Sequence, residues 1–77
     1  MTQRTRIKIC GLTREEDVAC AVDCGADAVG FNFYAKSARH VSVARAVELA
    51  RRLPAFVTPV GLFVNAAARE VEDALHA

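Results

Sequence analysis

The sequence predicts an α/β fold made of three strand–helix units with parallel strands. Two observations carry this. Short apolar runs with a period of two alternate with segments whose apolar residues recur at helical spacing. Glycine, proline and capping residues punctuate the junctions. The resulting order is βαβαβα, and a crossover helix returns the chain to the same end of a sheet, so successive strands run parallel.

Residues Arg6 to Cys10 read as the first strand, with Ile7 and Ile9 on one face and Lys8 and Cys10 on the other. Gly11 ends it. Thr13 is the expected cap of the first helix, because Glu16 lies three residues on, at capping-box spacing. Val18, Ala21 and Val22 form its apolar stripe, and Gly25 is placed to end it in a left-handed conformation. Ala26 to Phe33 reads as the second strand. Val29, Phe31 and Phe33 share the face that would meet helices. Ala28, Gly30 and Asn32 share the other, a small or polar set suited to a tight or functional interior. Tyr34 to Val41 is a loop. Ser42 caps a second helix with Val43, Ala46, Val47, Ala50 and Leu53 as its stripe, and Pro54 stops it. Phe56 to Val64 is the third strand, whose ordered part is expected to begin at or after Pro59. Asn65 is the expected cap of a third helix, Ala66 to Leu75, with Ala68, Val71 and Leu75 as its stripe.

The chain has 77 residues, enough for one small domain. A chain of this size buries only roughly 60% of its unfolded surface, so its stability is marginal. Apolar residues make up 53% and charged residues 25%, a globular rather than disordered balance. A net charge of +1 gives no electrostatic case for nucleic acid or an anionic membrane. The N-terminus lacks the apolar core of a signal peptide, and nothing approaches the ~20 apolar residues of a membrane span, so the expected location is cytoplasmic. Three βα units with helices on one side leave the other sheet face bare, whereas parallel sheets need cover on both. The sequence therefore reads as an incomplete domain over residues 1–77. Either further units follow, or a copy or complementary fragment covers the bare face.

Function in parallel α/β folds gathers at the carboxyl ends of strands. Cys10 stands at the first such end, with Lys8 two residues back on the same face. A nearby ammonium raises the thiolate fraction, which suits a nucleophile or a proton-abstracting base. Spacing alone leaves this open beside the commoner packed, inert thiol. Arg39 lies in the second loop with Lys36, Ser37 and His40; its guanidinium could meet a carboxylate or phosphate, or simply be an exposed loop charge. Cys20 and Cys24, four apart, read as small buried or half-buried helix residues. With two distant histidines they offer too few ligands for a structural zinc site. No C-x-x-C and no glycine-rich phosphate fingerprint occur.

Several separated motifs, in order, resemble the start of the phosphoribosylanthranilate isomerase family of tryptophan biosynthesis. They are Lys8-Ile9-Cys10-Gly11-Leu12-Thr13 with Glu16-Asp17, Gly25 through Phe31 with Phe33, Lys36 through Val41, and Val60 through Asn65. The resemblance covers nearly the whole chain. It implies the N-terminal part of a (β/α)8 TIM barrel and an Amadori rearrangement of N-(5-phosphoribosyl)anthranilate, a small phosphorylated substrate, without metal or organic cofactor. It further implies that Cys10 is the general base and that Arg39 contacts the anthranilate part of the substrate. Lys8, on the Cys10 face, and Asn32, on the small or polar face of the second strand, are supporting positions by their place in the strands. The family's general acid lies on a later strand and its phosphate site in the last loops, so the chain alone is expected to be inactive. The chain departs from the family at Ala38, and often at Ala35, where proline is usual.

Overall fold

The computed structural model describes residues 4–77. It has the predicted order: β1 (Lys8–Cys10), α1 (Glu15–Asp23), β2 (Ala28–Asn32), α2 (Val43–Ala50), β3 (Thr58–Leu62) and α3 (Ala68–Leu75). The strands form one parallel sheet in the order β1-β2-β3, with Cys10 opposite Gly30 and Gly30 opposite Val60. Strand order follows chain order, so the sheet contains no reversal of winding of the kind that creates a switch-point crevice.

Both α1 and α2 pack on the same sheet face. Val18 and Ala21 of α1 and Ala46 and Leu49 of α2 enclose Val29 and Phe31, with Ala26 and Val41 completing the core. Leu49 is 0% exposed. The expected stripe of α2 ran through Val47 and Ala50 and omitted Leu49. The spacing 46, 49, 50, 53 was equally available, and it is the one that centres on the sheet. Val71 and Ala74 of α3 border an apolar cleft of about 350 Å³ beside Phe31, Phe33 and Phe63. No residue of α3 is buried, and Leu75 is 77% exposed. The expected α3 stripe is thus only half-covered, because this helix rests on an edge strand.

The boundaries differ from expectation for identifiable reasons. Arg14, not Thr13, is the N-cap of α1, and its side chain makes no capping bond. The N–H groups of Gly11 and Leu12 both donate to Gly30 O, at 3.0 and 3.2 Å, which keeps the chain in the loop past Thr13. The first turn is held instead by the Arg14 guanidinium on Asp17, two bonds of 3.0 Å. At the other end Gly25 has φ 92°, as its type predicts. Gly25 N–H donates to Val22 O and Ala26 N–H to Ala21 O, both at 3.0 Å, the double closure of a Schellman motif. Ser42 caps α2 as expected: its Oγ accepts from Arg45 N–H at 3.1 Å.

Pro59 lies inside β3 rather than at or before its start. Thr58 N–H donates to Asp27 O at 3.0 Å, so strand alternation turns the Pro59 nitrogen to the open side, where no donor is missed. Asn65 is not a cap. It takes a left-handed φ of 51°, which asparagine tolerates, and α3 begins only after Ala67.

Asp27 clamps the entry to β1. It accepts from the Arg4 guanidinium at 2.9 and 2.6 Å and from Ile7 N–H at 2.8 Å. The Arg4 hydrogen bond, then that of Ile7, lowers its pKa from 3.8 to about 2. A carboxylate with a depressed folded-state pKa contributes stability that is complete above the unfolded value and is lost as pH falls through the folded one. Acid titration of the urea midpoint should therefore show a loss between about pH 4 and pH 2 that Asp27→Asn removes. An unchanged profile in the variant would refute the clamp.

Candidate functional site

The site is built at the carboxyl ends of β1 and β2. Cys10 is the last residue of β1, and its side chain is accommodated because its neighbour in β2 is Gly30. A Cβ at Gly30 would lie 2.8 Å from Cys10 Sγ and 3.3 Å from Cys10 Cα. The same face carries Lys8, exposed, and Asn32, half-buried. Cys10 is itself exposed.

Gly11 turns the chain away from the strand with φ 80°. Its missing side chain leaves the space taken by Arg39: a Cβ there would lie 2.5 Å from Arg39 Cδ. The stem of Arg39 therefore lies over the residue next to Cys10. Two residues placed 29 apart in sequence and singled out separately are brought to one spot.

The loop that delivers Arg39 is held by Asn32 and Ser37. Asn32 Oδ1 accepts from Tyr34 N–H at 2.8 Å, and Asn32 Nδ2 donates to Ser37 Oγ at 3.2 Å. Ser37 Oγ also accepts from Arg39 N–H at 3.1 Å. Val41 N–H donates to Asn32 O at 2.9 Å, returning the chain to the sheet. Where alanines stand at 35 and 38, order in the loop comes from these hydrogen bonds rather than from ring-locked backbone. Asn32 thus acts through the loop, shaping where Arg39 sits. Ser37 and Gly11 were given no such role by the sequence reading. Their signal was faint: a lone glycine after a strand, and a serine two residues before an arginine. His40 pairs with Asn32 as an isolated bridge and belongs to the loop's framework.

At the third strand end, Val64 and Asn65 are exposed and border a separate cleft with Tyr34, His40 and Asp73. They do not join Cys10 and Arg39. Cys20 and Cys24 are exposed, contrary to expectation, because they lie on the side of α1 that faces the open edge of β1. No helix among the described residues is long and apolar enough to cross a membrane.

A sheet wound in chain order, helices on one face and reactive groups at the carboxyl strand ends define the class of (β/α)8-barrel proteins, of which three units are present. A family model described as N-(5'phosphoribosyl)anthranilate (PRA) isomerase matches residues 7–77, and the chain belongs to that family. It is 75% identical over 71 residues to the N-(5'-phosphoribosyl)anthranilate isomerase of Methylibium petroleiphilum, covering 92% of this chain and 33% of that protein. The corresponding protein of Leptothrix cholodnii is 69% identical over 71 residues, covering 92% and 32%. Among solved structures, phosphoribosyl anthranilate isomerase from Thermotoga maritima superimposes with a TM-score of 0.92 at 45% identity, covering 95% of this chain and 36% of that one. A second, in complex with reduced 1-(o-carboxyphenylamino)-1-deoxyribulose 5-phosphate, gives the same TM-score and identity, covering 95% and 38%. The chain spans about a third of the length of the relatives it matches.

Proposed function

We propose that residues 1–77 supply part of a (β/α)8 barrel that isomerises N-(5-phosphoribosyl)anthranilate to 1-(2-carboxyphenylamino)-1-deoxyribulose 5-phosphate, within tryptophan biosynthesis. The observation that carries this reading is the stem of Arg39 lying over Gly11, beside Cys10, at the carboxyl end of β1. A related structure binds the reduced form of that product, which supports the substrate class.

In this reading the substrate's ring opens to an iminium with help from a general acid on a later unit. Cys10, as thiolate, removes the C2′ proton. The electron pair of that C–H bond moves toward the iminium carbon to give an enol-amine, which becomes the ketone. Arg39 pairs with the anthranilate carboxylate and fixes C2′ near the sulfur. Lys8 stands on the same face of the sheet as Cys10, in a supporting position. Acid and phosphate site belong to units beyond these three, so base and acid meet only in a completed barrel.

The 77-residue chain assayed alone should give no turnover. Fused to the later units of the Methylibium petroleiphilum relative it should isomerise, and Cys10→Ala in that fusion should lower kcat by about 10²–10⁴. Turnover by the chain alone that depends on Cys10 would overturn the division of labour; an active Cys10→Ala fusion would overturn the base. Exposed apolar residues, Ile7 at 47%, Ile9 at 39% and Phe56 at 97%, also suit pairing of the lone chain with a copy or a complementary fragment. Sedimentation as a concentration-independent monomer would count against that pairing.

A further inference from the structure

The loop that carries Arg39 is two tight turns in succession. Ser37 N–H donates to Tyr34 O at 3.0 Å and closes the first; His40 N–H donates to Ser37 O at 3.2 Å and closes the second. Ser37 is thus the last residue of one turn and the first of the next. Its Oγ accepts from Arg39 N–H at 3.1 Å and from Asn32 Nδ2 at 3.2 Å, which fills both acceptor positions of the hydroxyl. Ala35 and Ala38 each take the second position of a turn, where proline is favoured because its ring presets φ. No ring constrains either turn here, so the Ser37 hydroxyl is the side chain that ties the second turn to the end of β2. All of these bonds run between residues 32 and 40, away from the outer edges of β1 and β3 that further units would meet.

We propose that Ser37 is a positioning residue for substrate binding: by clasping the two turns it keeps the stem of Arg39 over Gly11, and so sets the affinity for the carboxylate that Arg39 receives. This rests on the reading of Arg39 as the carboxylate-binding residue; the turn geometry does not. An exposed arginine on a free loop spreads over many rotamers and must surrender that freedom when it binds. With its N–H held by Ser37 and its stem over Gly11, Arg39 is already close to one arrangement before substrate arrives. The Ser37 hydroxyl acts through Arg39 and not on the substrate, since both its acceptor positions are occupied by protein donors. Ala38 N–H donates no hydrogen bond among the described residues, so proline at that position removes none and supplies the constraint by another route.

The test has two arms. In the 77-residue chain, amide exchange followed by NMR should show Arg39 N–H exchanging about two- to tenfold faster in Ser37→Ala, the loss of one net hydrogen bond. The amide of Phe31, inside β2, should keep its rate and so report that the fold is intact. An unchanged rate at Arg39 overturns the clasp, whether or not any enzyme turns over. In the fusion with the later barrel units, Ser37→Ala should raise KM about three- to tenfold and leave kcat within about twofold, because a smaller fraction of the protein holds Arg39 in place. Adding Ala38→Pro should return KM to within about twofold of the parent, because the ring replaces the constraint the hydroxyl supplied. A fall in kcat at unchanged KM, or a raised KM that Ala38→Pro does not repair, overturns the positioning role. Ala38→Pro alone should leave KM at the parent's value; a rise overturns the placing of residue 38 in the second turn. A parent fusion without turnover counts against the proposed function, and the exchange rates then decide the clasp by themselves.

Discussion

Replacing Leu49 by alanine is expected to remove a large share of the folded stability of this chain. Leu49 is 0% exposed and lies where α2 meets Val29 and Phe31. Truncating such a leucine costs about 2–5 kcal/mol, the transfer of the lost methyl groups plus the cavity left behind. Small proteins gain roughly 0.05–0.15 kcal/mol of stability per residue, so the whole chain commands only about 4–12 kcal/mol. One side chain is therefore a large share of the total. The control is Leu75→Ala, 77% exposed, which should change stability by no more than about 0.5 kcal/mol. Urea midpoints measure both. A Leu49→Ala chain with the parent's midpoint would refute the placement of Leu49 in the core.

Gly11→Ala should have two separable effects. Alanine at φ 80° costs about 1–2 kcal/mol from clash of its own Cβ with the following carbonyl. The same Cβ would sit 2.5 Å from Arg39 Cδ, so the arginine must leave its place beside Cys10. The backbone cost should persist in the Gly11→Ala, Arg39→Ala double variant, while the steric part disappears. The double-mutant cycle should then give a favourable coupling of about 0.5–1 kcal/mol, within the range for residues in contact. Strict additivity of the two stability changes would mean that Arg39 does not lie against Gly11. In the fusion with the later barrel units, Gly11→Ala should raise KM, since Arg39 is assigned to binding, before it lowers kcat.

The unit order and the core faces of β2 were legible because they rest on periodicity, which repeats over many residues. Val29 and Phe31 went where alternation put them. The Ser42 cap and the Gly25 stop were legible because each is a local rule satisfied by a single residue. The Thr13 and Asn65 caps failed because a local rule met a tertiary contact or a rival local preference. Gly30 O captures two successive N–H groups and carries the chain past Thr13, while Asn65 spends its tolerance on a left-handed turn. Pro59 was expected at or before the start of the ordered strand because sequence does not reveal which strand edge is open. At the site, the residue types that bear chemistry could be named singly. What could not be read was the empty volume of Gly11 and Gly30, since a missing side chain has meaning only beside the neighbour that fills its place. The Asp27 clamp was invisible for the same reason: its partners lie 20 and 23 residues away.

The chain-order sheet also bears on how the molecule comes into being. Each strand pairs only with its neighbour in sequence, so no backbone pairing has to wait for a distant segment. Such low contact order lets closure of each loop be repaid soon after its cost is met. During synthesis β1 and α1 emerge before β2, and β2 before Arg39. The two strands that pair Cys10 with Gly30 are thus made before the loop that carries Arg39, so the order of synthesis is also the order of the sheet.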